Sequence, residues 1–291
     1  MELNHLEITT APRAAASVVM LRDAPGGMEV LLLKRHASSS VLGGAHVFPG
    51  GKLDPADSEL DMAAHLDRNV DDLHAALCEP ALSRLEAAGL HVAALREAFE
   101  EAGLLLAHDV SDRLAELAAM RVQQGLSFNR LLGNLSLRLD TSNLVPWSRW
   151  ITPKVPSVTS KRFDTRFFLA LVDDEARISH DDYEAVESAW LRPRAALEAY
   201  WAGQMMLAPP QIMSLVHLAH HASADRVLDQ ARAGGPVLIE PHTCELEGQR
   251  VVCYPGDERH PVTARALPGP SRLVFRNRRF EPFSGFDEFL A

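Results

Sequence analysis

Cysteine is scarce in this chain of 291 residues, which contains only Cys78, Cys244 and Cys253. Neither a Cys-x-x-Cys pair nor a zinc-ligand spacing is present, so a disulfide framework and a cysteine-rich zinc site are excluded. The sequence also lacks an apolar run long enough to span a bilayer, and its start lacks the basic and apolar regions of a signal peptide. These absences predict reduced thiols and a cytoplasmic location.

Positive charge is in the minority, with 29 lysines and arginines against 39 aspartates and glutamates and a net charge of −10. Because an acidic average surface repels nucleic acids and anionic membranes, neither is expected as a partner. A polyanionic ligand would need a local group of basic residues or bound metal cations.

The pattern of apolar residues predicts strands and helices in mixed order. Residues 14–35 contain two apolar runs separated by a Pro-Gly turn, which is typical of a β-hairpin. Residues 57–107 and 112–135 have helical spacing, with breaks expected at Pro80 and Gly89. Strand-like runs alternate with shorter helices in the rest of the chain. This order predicts an α+β protein, or one sheet packed against helices.

Three glutamates lie close together on one predicted helix, in the stretch REAFEEAG. Glu97 is three residues before Glu100 and four before Glu101, so their carboxylates share one sector of the helix and repel one another. A divalent cation between them would offset this repulsion, and Mg²⁺ or Mn²⁺ prefers such oxygen ligands. The alternative interpretation of this helix alone is a solvent-exposed acidic face that ends at Gly103.

Two separated segments together resemble the Nudix box, G-x5-E-x7-R-E-U-x-E-E-x-G-U, where U is a bulky aliphatic residue. The first half runs from Gly51 to Asp57 and the second from Arg96 to Leu104. Asp57 stands where the family usually has Glu, and Ala98 is smaller than the usual aliphatic residue. The spacer, residues 58–95, has 38 residues instead of seven. The resemblance implies an α/β/α sandwich with a mixed central sheet, a Nudix helix and helical insertions.

One branch of the family, which resembles the mammalian peroxisomal coenzyme A diphosphatase and its bacterial relatives, carries an insertion at the same place. The stretches RWITP, RFDTRFFLA, PPQ and YPGD also look like that branch. The resemblance therefore implies a Nudix domain over residues 12–240. Helical insertions are expected at about 58–90 and 111–140, and residues 241–291 are expected to form an extension packed on the domain.

The resemblance also implies roles for individual residues. Arg96 would pair with Asp57 and hold the two halves of the box in register. Glu184 is a further candidate for an acid near the metals, with a solvated position at a strand end as the alternative interpretation. The remaining assignments are metal ligands Glu97, Glu100, Glu101 and the Gly50 carbonyl, catalytic residues Glu97, Glu100 and Arg96, and structural residues Gly51, Asp57 and Gly103.

Substrate-binding residues are expected in two basic groups, one on each of two predicted strands. Residues 31–51 partly match a motif of coenzyme A-cleaving members, L-L-T-x-R-S-x3-R-x3-G-x3-F-P-G-G, with Arg35 in place and Ser40 where an arginine is expected. Guanidinium groups suit phosphate because their donors are paired. The alternative is that these cations pair with acids of the chain. The predicted phosphate-binding residues are Lys34, Arg35, Arg162 and Arg166.

The resemblance implies a hydrolase that cuts the diphosphate of coenzyme A or acyl-coenzyme A, giving 3′,5′-ADP and a phosphopantetheine. Cleavage of ADP-ribose, NADH or dinucleoside polyphosphates is the first alternative, and a non-catalytic nucleotide-sensing module is the second. The expected cofactor is Mg²⁺ or Mn²⁺ and the expected partner is a small nucleotide. The oligomeric state is left open, with a homodimer as one alternative.

Overall fold

A computed structural model describes residues 3–39, 42–156, 161–173, 178 and 185–291. In these ranges no helix is long and apolar enough to cross a membrane. The strands are β1 Arg13–Ala24, β2 Gly27–Arg35, β3 His46–Val47, β4 Gly50–Lys52, β5 Val145–Ile151, β6 Phe163–Leu171, β7 Ala185–Leu191, β8 Val237–Ile239, β9 His242–Leu246, β10 Gln249–Cys253, β11 Arg272–Arg276 and β12 Arg279–Glu281. The helices are α1 Pro55–Ser58, α2 Met62–His65, α3 Val70–Leu77, α4 Arg84–Ala102, α5 Asp112–Gln123, α6 Phe128–Leu135, α7 Pro193–Trp201, α8 Pro209–Ala219 and α9 Ala224–Gly234, with 3-10 turns at Thr141–Asn143 and Phe286–Leu290.

A mixed sheet forms the centre of the fold, in the order β3-β2-β1-β6-β5-β8, with β4 beside β1 and β7 beside β2. Strand β1 runs parallel to β6 and antiparallel to β2. Alternate side chains of β1 enter different apolar clusters: Val18 and Met20 join the one that contains α4, and Val19 and Leu21 join the one that contains α8. Both faces are therefore covered by helices, and the predicted α+β sandwich is confirmed.

Helix α4 carries the three glutamates and is longer than the sequence indicates. It begins with a capping box in which the Ser83 hydroxyl accepts from the Glu86 amide, and it ends at Gly103, whose φ of 71° is left-handed. The predicted break at Gly89 is wrong, since this glycine lies inside the helix. A Cβ there would be 2.3 Å from Ser58 Oγ, so glycine allows α1 to approach the helix closely.

The long spacer begins at the last residue of α1 and folds into α2, α3 and the first three turns of α4. The carboxylate of Glu79, in the loop before α4, pairs with Arg149 of β5 at 2.7 Å and with Arg166 of β6 at 2.5 Å. Asp164 lies between the two arginines and accepts from Arg149 at 2.7 Å. Because Arg166 and Glu79 are both largely buried, this network attaches the insertion to the central sheet.

Asp67 joins the first insertion to the segment after α6. Its carboxylate accepts from the backbone N–H groups of Thr141 at 2.9 Å and Ser142 at 3.2 Å, and lies 3.2 Å from His108 Nε2. Burial opposes the charged form, but hydrogen bonds from Ser142, Thr141 and His108 lower the pKa of Asp67 well below its usual value. This charged side chain therefore fastens the spacer of the box to residues just before α5 and just after α6.

The C-terminal residues form a second antiparallel sheet, in the order β12-β11-β10-β9. Its residues Val252, Leu273 and Phe280 belong to the apolar cluster that also contains α8 residues. The Tyr200 hydroxyl of α7 donates to the Phe280 carbonyl and accepts from the Phe280 amide, both at 2.8 Å. The C-terminal sheet therefore shares its core with the central sheet.

His91 generates a prediction about stability. It is fully buried on α4, with Nδ1 2.8 Å from the Ala87 carbonyl oxygen and its ring against Phe168. Burial lowers its pKa from 6.5 to about 4. The unfolded chain takes up a proton below pH 6.5 that the folded chain accepts only near pH 4, so the free energy of unfolding falls as the pH falls, by about 1.4 kcal/mol per pH unit.

Urea denaturation of wild type and His91→Leu between pH 7 and pH 5 measures this effect. The wild-type free energy of unfolding should lose about 2 kcal/mol more than that of the variant over this interval. Equal losses in the two proteins would contradict the assignment of a buried neutral imidazole.

Candidate active site

A cleft of about 990 Å³ opens at the C-terminal half of α4, between the central sheet and the C-terminal sheet. All three glutamates of the box line this cleft. The other parts of its wall come from strands β1 to β6, from helix α5, from the first turn of α8, and from β9 and β10. Elements distant in sequence therefore meet around the carboxylates.

Arg96 connects the two halves of the box. Its Nε donates to Asp57 Oδ1 at 2.8 Å and its Nη2 to Asp57 Oδ2 at 3.1 Å, a bidentate pair. Nη2 also donates to the Lys52 carbonyl at 3.2 Å. The shorter Asp57 is sufficient because it lies on α1 and its Oδ2 is fixed by the Asp54 amide at 2.9 Å. The pairing expected between Arg96 and Asp57 is present in the structure.

The same guanidinium holds two of the three glutamates. Arg96 Nη1 donates to Glu97 Oε1 and to Glu100 Oε2, each at 2.8 Å. Burial disfavours the guanidinium charge, but the hydrogen bond that Arg96 donates to Asp57 and the charges of Glu97, Asp57 and Glu100 raise the pKa of Arg96. Burial raises the pKa of Glu100, against the opposing effect of Arg96. One permanently charged group thus compensates several clustered carboxylates.

Glu101 is held from the opposite side, by β4 and β2. Its side chain is almost fully buried, and Oε2 accepts from the Gly50 amide at 2.9 Å. Arg35 Nη1 is 3.6 Å from Glu101 Oε1. Gly51, the next residue of β4, leaves room for the Glu97 carboxylate, since a Cβ there would be 2.2 Å from Glu97 Oε1 and would displace it. The glycine pair therefore lets the strand contact the acidic end of α4.

The donor set in the cleft fits a hard divalent cation. Glu97, Glu100 and Glu101 offer carboxylate oxygens, and Gly50 offers a backbone carbonyl, the ligand types that Mg²⁺ and Mn²⁺ accept. Elsewhere in the described residues, ligand atoms of Asp67, His108 and Asp140 lie within 4.8 Å of one another. The last three residues are not part of the cleft lining, and Asp67 already accepts backbone hydrogen bonds.

Of the four predicted phosphate-binding residues, Arg35 lines the cleft. Lys34 points to the other side of β2 and lies 3.4 Å from Glu187. Arg166 pairs with Glu79, and Arg162 donates to the Thr152 carbonyl at 2.9 Å. The described residues that line the cleft do not include Lys34, Arg162 or Arg166, so the structure does not bring these three to the carboxylates.

Strand alternation explains this difference. On β6, Phe163, Thr165 and Phe167 face the cleft, so Arg166 points to the insertion side. Besides Arg35, Arg96 and Lys161, the lining contains the basic residues Arg13 and Lys52, which were not expected from the sequence. Arg13, Ala15 and Ser17 are spaced two residues apart on β1, and all three line the cleft. This period-2 spacing was the signal in the sequence that could have placed Arg13 there. Glu184, the further candidate acid, lies outside the described residues.

Comparisons with known proteins agree with this geometry. A family model described as the NUDT19 Nudix domain matches residues 85–218. Putative nudix hydrolase 7 of Caenorhabditis elegans is 27% identical, over 94% of this chain and 82% of that protein. Acyl-coenzyme A diphosphatase NUDT19 of Homo sapiens is 30% identical, over 68% of this chain and 62% of that protein. A NUDIX hydrolase structure from Alicyclobacillus acidocaldarius aligns with a TM-score of 0.63 and 28% identity, over 76% of this chain and 97% of that chain.

The mixed sheet between helices and the box carried by β4, α1 and α4 indicate a hydrolase of diphosphate bonds, and the chain is similar to Nudix hydrolases over most of its length. Within that family its similarity is to the branch that includes NUDT19. The predicted family and branch are confirmed.

Gly51 provides a test of the site geometry. In Gly51→Ala the new methyl group would displace the Glu97 carboxylate, which is the end of a flexible side chain, so the fold should persist. We expect diphosphatase activity to fall by about 100-fold and the melting temperature to change little.

The matched control is Gly133→Ala on α6, where a Cβ would meet nothing within 4 Å. This variant should keep full activity and gain slightly in stability, because alanine is the better helix former. Equal activity of both variants and wild type would show that the position of Glu97 does not matter.

Proposed function

We propose that this enzyme is a divalent-metal-dependent diphosphatase of coenzyme A and acyl-coenzyme A, releasing 3′,5′-ADP and phosphopantetheine or its acyl derivative. The observation that carries the proposal is that three glutamate carboxylates, two of them held by Arg96, line one large cleft together with several basic residues. Relatives over most of the chain, from Xenopus laevis, Homo sapiens and Gallus gallus, are named acyl-coenzyme A diphosphatases.

Glu97, Glu100, Glu101 and the Gly50 carbonyl would hold Mg²⁺ or Mn²⁺. When bound, the metal neutralises diphosphate charge and lowers the pKa of a water. Arg96 orients the carboxylates of Glu97 and Glu100, and one of these two accepts the proton of the attacking water. Gly51 keeps the space next to Glu97 open.

Size and charge of the cleft support a coenzyme A substrate. A volume of about 990 Å³ is at the upper end of the range for small-molecule sites, roughly 300–1,000 Å³. Besides Arg96, the wall contains the basic residues Arg13, Arg35, Lys52 and Lys161. Coenzyme A carries a 3′-phosphate in addition to its diphosphate, so it needs more cations than ADP-ribose or NADH. The distribution of charge therefore favours coenzyme A among the nucleotide substrates.

The proposed location is the cytoplasm, because three widely spaced cysteines are typical of a reducing compartment. The partner is a small nucleotide-linked molecule, which the acidic chain meets through a local basic cleft.

Glu101→Gln tests the proposed metal site. The variant keeps an acceptor for the Gly50 amide but loses a charge, so it should fold while turnover of coenzyme A falls by about 1,000-fold and Mn²⁺ affinity weakens in calorimetric titration. The control, Glu116→Gln, lies exposed on α5 and should match wild type. A Glu101→Gln enzyme with normal turnover would mean that the metal ligands are elsewhere.

The same assay separates the candidate substrates. Wild type should cleave coenzyme A and acyl-coenzyme A with a higher kcat/KM than ADP-ribose, NADH or diadenosine polyphosphates. A higher kcat/KM for one of the latter compounds would support diphosphate hydrolysis but contradict coenzyme A as the substrate. Absence of cleavage in a folded, metal-binding protein would indicate a nucleotide sensor.

Arg35 and Lys34 form a matched pair for testing the phosphate contacts, because they are neighbours on β2 and only Arg35 belongs to the cleft lining. Arg35→Met should raise KM for coenzyme A by about tenfold, since charge-assisted hydrogen bonds contribute about 1.5–3 kcal/mol. Lys34→Met should leave KM unchanged, because Lys34 is exposed beside Glu187. Equal effects in steady-state kinetics would contradict the role of Arg35.

A further inference from the structure

The first turn of α8 opens onto the cleft through Pro209, Pro210 and Gln211. The two prolines have no N–H group, and the N-cap residue Ala208 has no side-chain hydrogen bond. This helix start is therefore poor in donors for a phosphate. The polar side chain that it places in the cleft wall is Gln211.

Gln211 has a buried polar atom that lacks a partner. Its side chain is 8% exposed, and among the described residues nothing forms a hydrogen bond with Oε1. A buried amide oxygen without a donor costs about 1–3 kcal/mol. A ligand that supplies the missing hydrogen bond would recover this cost on binding.

One other residue of the cleft lining has a buried atom without a partner in the described part of the chain, namely Arg35 at Nε. Arg35 lies on β2 next to the β3 loop, where its carbonyl accepts from the Gly44 amide at 3.2 Å. The His46 amide of β3 donates to the Met206 carbonyl at 2.8 Å, just before α8. The segment that leads into α8, the helix of Gln211, is thus attached to β3, which lies next to the strand that carries Arg35.

The chemistry of the two atoms differs. Arg35 Nε is a donor and suits a phosphate oxygen. Gln211 Oε1 is an acceptor, and a phosphodiester offers no donor at neutral pH, so Gln211 must meet another part of the substrate. A glutamine amide matches an adenine edge, where the exocyclic amine donates and the adjacent ring nitrogen accepts. The N–H and C=O of a trans pantetheine amide point in opposite directions, so they cannot pair with one glutamine in this way.

We infer that Gln211 is a specificity residue that binds the adenine edge of the substrate, an assignment that rests on the proposed coenzyme A diphosphatase function. Gln211 contributes affinity and base selectivity and takes no part in proton transfer. The inference places the nucleoside half of the substrate against the start of α8.

The test compares Gln211→Met with wild type and with Ser214→Ala. Methionine keeps the length of the side chain and removes the amide. Ser214 lies one turn further along α8, is 2% exposed and also has an unpartnered side-chain oxygen, but it is not part of the cleft lining. Kinetics are measured with coenzyme A and with 1,N6-etheno-coenzyme A, in which the exocyclic amine is blocked. Inhibition by 3′,5′-ADP and by 4′-phosphopantetheine is measured for each protein.

We expect Gln211→Met to raise KM for coenzyme A by about tenfold with kcat nearly unchanged, and the preference for coenzyme A over its etheno derivative to disappear. Inhibition by 3′,5′-ADP should weaken, while inhibition by 4′-phosphopantetheine should not change. The melting temperature should not fall, because an unpaired buried polar group has been removed. Ser214→Ala should match wild type in all kinetic values.

An unchanged KM in Gln211→Met, in an enzyme that cleaves coenzyme A, would overturn the inference and leave the proposed function intact. Weaker inhibition by 4′-phosphopantetheine alone would also overturn it, by assigning Gln211 to the other half of the substrate. If wild type does not cleave coenzyme A, that result contradicts the proposed function itself and is distinct from the two outcomes above.

Discussion

The bidentate pair between Arg96 and Asp57 is the interaction on which the candidate site depends. It joins two halves of one motif that are separated by 38 residues in the sequence (58–95). The same guanidinium also contacts Glu97 and Glu100, so it offsets repulsion among acids that face one cleft. Without Arg96, Asp57 would be left as a buried unpaired charge, and such losses destabilise a protein by about 3–5 kcal/mol.

The insertion can interrupt the motif because its own ion pairs and hydrogen bonds attach it to the rest of the fold. Glu79 pairs with Arg149 and Arg166 of the central sheet, and Asp67 binds the backbone after α6. Gly89 lets α1 pack against α4, which brings Asp57 to Arg96. The two halves of the box therefore stay in contact despite the long spacer between them.

The sequence was sufficient to predict the sandwich, the hairpin of β1 and β2, and the three clustered glutamates, because these depend on local periodicity and on spacing. It was not sufficient to assign phosphate contacts. Arg166 and Lys34 are basic residues on strands, as predicted, but the pleat directs them away from the cleft. Gln211 lies in the PPQ stretch that resembles the branch, but its role could not be assigned from the sequence because only the packed chain reveals the missing partner of its side-chain oxygen.

The central claim is that the carboxylates around Arg96 hold the catalytic metal. Anomalous diffraction from a crystal soaked with Mn²⁺ tests it most directly, because the metal position is observed independently of activity. The account predicts Mn²⁺ bound by Glu97, Glu100 and Glu101 in the cleft. Mn²⁺ found only at the other acidic group, formed by Asp67, His108 and Asp140, would contradict it.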